Sequence, residues 1–226
     1  MLWYKAWLET RWRFVFMIGF MLLVWLGPPL LGTPVGREWL ALQLGSALLY
    51  CIAAFFLAGA GINTQTRYCA TPGFHSSMLF TLSLPVSRRR LLFVRAGLGA
   101  IETCVFVAMM AGLTLFWGPG ATSALQAILY GTRAIVCTMA VYALSVLLAC
   151  VLDEMWQFTG AILCWSAVFL LQSRSVVVSR ISPLRGMSLI SYPATAPIPW
   201  LPVVTSVALT AVLLYTSVLV LQRKKY

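Results

Sequence analysis

Long apolar runs, separated by short connections that carry charges or prolines, constrain this chain more than any other feature. Its 226 residues are 61% hydrophobic and only 9% charged. Soluble domains carry about 25% charged residues because much of their surface faces water. A helix needs about 20 apolar residues to cross a bilayer. The sequence therefore predicts an all-α membrane protein, built as a single transmembrane domain over residues 1–226.

Six of the apolar runs are predicted to span the membrane. They cover residues 14–31, 40–62, 91–117, 125–151, 156–171 and 200–221. The runs are long and lack the alternation of apolar and polar residues that is typical of barrel walls, so helices are favoured over strands. The fifth run is short for a span, whereas the other five have ordinary or greater length.

The distribution of Lys and Arg predicts the orientation of these spans. If the N-terminus lies inside, about ten Lys and Arg residues fall in cytoplasmic segments and about four in outer segments. Both termini are therefore predicted to face the cytoplasm, as in a multi-pass protein of the cell (inner) membrane. The net charge of +11 is interpreted as this topology signal. Nucleic-acid binding is not favoured, because no basic face repeats along any predicted helix.

Residues 1–13 precede the first span and are predicted to form a separate amphipathic helix. Trp3 and Trp7 recur at helical spacing, and Lys5 and Arg11 lie between and beside them. This pattern is typical of a helix lying in the headgroup plane and contacting membrane lipids. A frayed basic leader is the alternative.

The longest predicted cytoplasmic loop, residues 63–90, is predicted to contain a short helix, residues 74–82, that follows turn-forming residues. Phe74, Met78 and Leu82 share one face of that helix. Such an apolar face can dock into a groove on a partner protein. Alternatively, the loop is a basic topology signal packed on headgroups. His75 is interpreted as a polar residue at the start of the helix rather than as a titrating switch.

The end of this loop resembles a known family. Residues 82–88 read LSLPVSR and run into the third predicted span, which looks like the signature of ABC-2 type transporter permeases. The arrangement of an N-terminal interfacial helix, six spans and a long first cytoplasmic loop is also similar. The loop departs from the family pattern in one respect: many members carry an acidic residue before its turn, and residues 63–90 contain none.

The resemblance implies a division of labour between chains. In this family the loop carries a coupling helix that contacts a separate ABC ATPase subunit, and two permeases, identical or different, pair to form the export path. The residues implied in the ATPase contact are Phe74, His75, Met78, Leu79, Leu82, Pro85 and Arg88. ATP and Mg²⁺ would then be bound by the partner, and no cofactor is expected in this chain.

Motifs of other function classes do not occur in the sequence. It lacks the phosphate-binding loop GxxxxGK[ST], because no Gly-Lys pair occurs in it. It also lacks HExxH and GxSxG, and none of its six Cys forms a CxxC pair. No catalytic or metal-binding residue is therefore predicted. The alternatives to a permease are a membrane scaffold, an immunity-type subunit or, less favoured, a membrane-embedded enzyme.

Two charged residues fall inside predicted spans. Glu102 lies in the third span and Arg133 in the fourth. Intramembrane charges usually face a partner or a wet cavity. Counted from the nearest loops, the two residues reach similar depths, which predicts an ion pair. If the fourth span is counted back from its inner end instead, Arg133 misses Glu102, and the two residues contact separate surroundings.

The segment between the fifth and sixth spans, residues 172–199, is too apolar for a free loop and too rich in proline for a span. Non-helical backbone at membrane depth must be covered by protein or water. A short re-entrant or surface-lying pair of helices on the outer side is therefore predicted. By resemblance to the family, Arg174, Arg180 and Arg185 are candidates for an outer gate. An ordered external cap without a gating role is the alternative.

Overall fold

The computed structural model describes residues 2–30, 47–58, 88–117, 123–152, 154–188 and 198–223. Within these ranges the chain is helical and contains no strand, which confirms the prediction of an all-α fold. The helices, numbered here in chain order, are α1 (Leu2–Leu30), α2 (Ala47–Leu57), α3 (Arg88–Trp117), α4 (Ala124–Val151), α5 (Glu154–Arg174), α6 (Val176–Ile181), α7 (Pro183–Met187) and α8 (Trp200–Arg223).

Three of the described helices are long and apolar enough to cross a membrane. The segments concerned are Leu92–Leu113 in α3, Ala124–Val151, which is α4, and Trp200–Val220 in α8. These segments agree with the third, fourth and sixth predicted spans. Helix α2 is apolar but shorter. The chain is thus a membrane protein by the length and composition of its helices, and the full number of six spans stays a prediction.

Helix α4 forms the centre of the bundle. It packs against α2, α3, α5, α7 and α8, and 61% of its apolar window is buried. Many of its fully buried residues are small, among them Ala134, Ala140, Ala143 and Ala149. Small side chains allow neighbouring backbones to approach closely. By contrast, only 11% of the apolar window of α8 is buried, so α8 lies at the periphery.

The start of α4 is fixed by a capping box. The Ser123 hydroxyl accepts a hydrogen bond from the backbone N–H of Gln126, and the Gln126 side chain accepts one from the backbone N–H of Ser123. Each contact satisfies a donor that the first helical turn leaves unpaired. Helix α4 therefore begins at a defined residue, Ala124, directly after its N-cap.

Contacts between pairs of residues give the relative directions of the helices. Trp3 lies against Gly97, and Thr10 contacts Glu102, so α1 and α3 run in the same direction. Tyr142 reaches Ala96 near the beginning of α3, and Gly131 approaches Ala111 near its end. Helices α3 and α4 are therefore antiparallel.

The predicted break between an interfacial helix and the first span is not present. Helix α1 continues from Leu2 to Leu30 through residue 13, and the segment 2–13 runs beside α3 in line with the rest of the helix. The buried stripe consists of Ala6, Thr10, Met17 and Met21. The helix continues because residues 2–18 contain no glycine or proline to interrupt it.

Two short helices, α6 and α7, follow α5. Helix α7 is buried through Pro183, Leu184, Gly186 and Met187. Gly186 is packed so closely that a Cβ atom there would lie 2.5 Å from Sγ of Cys137 and 3.1 Å from Cβ of Pro202. Helix α7 is therefore held between the middle of α4 and the start of α8.

Candidate functional site

Most of the predicted ATPase contact lies outside the described residues. Phe74, His75, Met78, Leu79, Leu82 and Pro85 all fall between residues 59 and 87. Arg88 is the first residue of α3. The segment LSLPVSR runs directly into α3, and its residues before Arg88 lie outside the described part of the chain.

Glu102 is buried in the interface between α1 and α3. Its side chain is 3% exposed, and its Oε1 accepts a hydrogen bond from the Thr10 hydroxyl. Its Oε2 has no hydrogen-bond partner among the residues that the structure describes. The sequence does not predict this partner from α1, because its amphipathic pattern places residues 1–13 in the headgroup plane rather than in the bundle.

The predicted ion pair between Glu102 and Arg133 is not formed; neither carboxylate oxygen of Glu102 contacts Arg133. The pairing of Tyr142 with Ala96 sets the register of the antiparallel helices. In that register residue 136 of α4 lies at the level of Glu102, so Arg133 lies about three residues beyond it, or about 4.5 Å along the helix axis.

Arg133 occupies a separate aromatic environment. Its guanidinium carbon lies 5.1 Å from the centre of the Tyr130 ring, in the geometry of a cation–π contact. The Tyr130 hydroxyl is 2.9 Å from that of Tyr50. Arg133 thus lies against a tyrosine of its own helix, and the hydroxyl of this tyrosine contacts α2; these surroundings differ from the Thr10 contact of Glu102.

Several polar contacts close to Glu102 were not predicted. The Tyr142 hydroxyl donates to the carbonyl of Ala96 at 2.7 Å. Arg95 is also buried and precedes Glu102 by about two helical turns. A Cβ atom on Gly99 would lie 2.6 Å from the Tyr142 hydroxyl and 2.7 Å from the carbonyl oxygen of Leu57. Only glycine allows α2, α3 and α4 to meet here.

The three arginines of the outer segment occupy different positions. Arg174 and Arg180 are exposed. Arg185 is half-buried, and its Nη1 donates to the Ser179 hydroxyl at 2.7 Å. The Thr205 hydroxyl of α8 donates to the carbonyl of Ile181 and so connects α8 to α6.

A large apolar cavity lies between α2, α5 and α7. Its volume is about 840 Å³, within the range of small-molecule sites. Its walls are mainly aliphatic and aromatic, and its lining consists of Ala47, Leu48, Cys51, Ile52, Phe55, Phe56, Ile162, Trp165, Ser166, Phe169, Leu170, Gln172, Leu184 and Ser188. Leu48, Phe169 and Leu170 are exposed, so the cavity opens at the surface of the bundle.

Two polar atoms of this lining lack partners. Nε1 of Trp165 and Oε1 of Gln172 have no hydrogen-bond partner among the described residues. Trp165 is 6% exposed. The two residues are seven positions apart on α5 and therefore share one face of the helix. The sequence alone shows this spacing. It does not show the cavity, because the opposing walls come from helices that are distant in the chain.

The described residues contain no group of three or more His, Cys, Asp or Glu side chains that could hold a metal ion. Comparison of the chain with protein-family models, curated proteins and solved structures finds no match. The chemistry of the site is therefore interpreted from its own residues.

Proposed function

We propose that this chain is the transmembrane permease subunit of an ATP-binding cassette exporter and that a separate ATPase subunit drives it. The observation that carries the proposal is the segment LSLPVSR, whose last residue, Arg88, belongs to α3. A docking loop that continues directly into a span-length helix can transmit movement from a cytoplasmic partner into the bundle. A second permease, identical or different, would complete the export path.

The arrangement of the helices supports this proposal. Three helices have the length and apolarity of spans, and α3 and α4 form an antiparallel pair. The three span-length helices α3, α4 and α8, together with α1, α2 and α5, fit a six-span bundle with both termini in the cytoplasm. The contact of Gly186 with Cys137, near the middle of α4, supports an outer segment that dips into the membrane.

Co-purification tests the proposal directly. The chain is extracted in mild detergent with the proteins that accompany it, and Phe74→Asp, Met78→Asp and Leu82→Asp are compared with the original sequence. Each charge on the apolar docking face is expected to reduce recovery of an ATPase subunit at least tenfold, because the face would lose its apolar contact.

The matched control is Ser76→Asp, which introduces the same charge on the opposite side of the helical wheel. It is expected to leave ATPase recovery within about twofold of the original. Absence of any ATPase from the original complex would contradict the permease assignment and favour a scaffold or immunity-type subunit.

A further inference from the structure

The cavity between α2, α5 and α7 combines apolar walls with two unpartnered polar atoms, and this combination indicates a ligand. Native structures leave few buried polar groups without a hydrogen bond, because each one costs the desolvation of that group. The indole N–H of Trp165 is an unused donor and Oε1 of Gln172 an unused acceptor, and both atoms are buried within the cavity wall. Both atoms belong to residues that line the same space.

We infer that the cavity binds a neutral amphiphile, a molecule with an apolar body and a small headgroup that can both accept and donate hydrogen bonds. The headgroup would accept from Trp165 and donate to Gln172 after a change of side-chain rotamer brings the two buried atoms to the cavity surface. The apolar body would lie against Ile52, Phe55 and Phe169. This inference deepens the proposed function, since such a molecule would be the cargo or a lipid that regulates its passage.

The charge of the ligand follows from the lining. No charged side chain occurs among the described lining residues, and an unpaired charge in an apolar cavity is strongly unfavourable. A carboxylate or an amine would therefore bind poorly. A purely apolar molecule would also bind less well, because it would leave Trp165 and Gln172 without partners.

The volume sets the size of the ligand. About 840 Å³ is sufficient for a drug-sized molecule or one long acyl chain with its headgroup. The open side at Leu48 and Leu170 faces the lipid if α2 and α5 span the membrane, so the ligand can enter laterally. A ligand that partitions into the bilayer thus reaches the cavity without crossing water.

Photolabelling tests the inference without the ATPase. The purified chain is placed in nanodiscs of phosphatidylcholine and irradiated with a monoacylglycerol whose acyl chain carries a diazirine. We expect crosslinks on α2 and α5, at least tenfold weaker crosslinks with the fatty acid of the same chain, and competition by unlabelled monoacylglycerol. Two unlabelled competitors then distinguish the source of the ligand. Diacylglycerol incorporated into the nanodisc represents a ligand from the bilayer, and an alkyl glucoside added to the buffer represents a ligand from water.

Variants with matched controls separate recognition from folding. Trp165→Phe removes the unpartnered N–H together with part of the indole ring, so it is expected to weaken competition about fivefold and to lower thermal stability through the lost packing. Gln172→Met keeps the length of its side chain and removes its polar atoms, so it should weaken competition with little change in thermal stability. Trp156→Phe, at an exposed tryptophan of the same helix, should change neither quantity. Ser166→Phe fills the cavity from the exposed side of its lining and should abolish the crosslinks.

Three results would overturn the inference. They are equal labelling by the fatty acid and the monoacylglycerol, crosslinks on the outer face of α8 as strong as those on α5, and crosslinks that persist in Ser166→Phe. Labelling and ATPase recovery are independent measurements. Intact labelling without an ATPase contradicts only the proposed function, and ATPase recovery without selective labelling contradicts only this inference.

Discussion

Helices α4 and α8 are similar in length and apolarity but occupy opposite environments. Helix α4 lies at the centre and contacts five other helices, whereas most of α8 faces outward. The buried face of α4 is marked by small residues such as Ala140 and Ala143, and that of α8 by Ser206 and Ser217. In a membrane protein, residue size therefore indicates the packed face better than hydropathy does, because lipid and protein interiors are equally apolar.

The largest effect is expected from an Ala→Leu substitution, made once in α4 and once in α8 to compare the environments of the two helices. Ala140→Leu on α4 adds a branched side chain where the original is fully buried, and overpacking of this kind typically costs about 1–3 kcal/mol. Ala208→Leu places the same side chain on the exposed face of α8 and should leave the unfolding midpoint nearly unchanged. Thermal unfolding in detergent, followed by circular dichroism, measures both. Equal destabilisation would contradict the central position of α4.

The second test concerns the point where α7 meets both helices. Gly186→Ala places a Cβ atom 2.5 Å from Sγ of Cys137, and the adjustment this forces should cost about 1–2 kcal/mol. Cys137→Ala removes the sulfur and should recover most of this loss in the double variant. Gly112→Ala, where nothing lies within 4 Å, serves as the control. Absence of coupling between residues 137 and 186 would contradict the placement of α7.

The smallest expected effect compares two tyrosines. Tyr142→Phe on α4 removes the hydrogen bond to the Ala96 carbonyl and should lower stability by about 1 kcal/mol. Tyr215→Phe on α8 changes an exposed side chain and should have an effect below about 0.5 kcal/mol. The same unfolding assay resolves the pair. A larger loss at residue 215 would indicate that the outer face of α8 is covered by a partner.

The helices could be predicted from the sequence more fully than their contacts. The start of α4 at Ala124 and the extent of α3 follow from apolar run length and from capping chemistry. The interaction of Thr10 with Glu102 could not be predicted, because it depends on α1 continuing past residue 13. Hydropathy gives each span a length but no register against its neighbours, so it could not place Arg133 relative to Glu102.

The cavity illustrates the same limit. Trp165 and Gln172 are recognisable in the sequence as polar atoms on one face of an apolar helix. Whether such atoms meet a neighbouring helix, lipid or an open space depends on helices far away in the chain. The proposed coupling segment is a different case, because its residues lie outside the described part of the chain and it stays a prediction.

The lengths of α3 and α4 have a consequence for the surrounding bilayer. Their 30 and 28 residues correspond to about 45 and 42 Å, whereas the hydrocarbon core is about 30 Å thick. The apolar part of α8, 21 residues, matches that thickness at about 32 Å. The apolar part of α3, 22 residues, also matches it at about 33 Å, so the apolar segment that exceeds the core is that of α4, the most buried of the three. Membranes of different acyl-chain length should therefore act on this molecule mainly through α8 and α3.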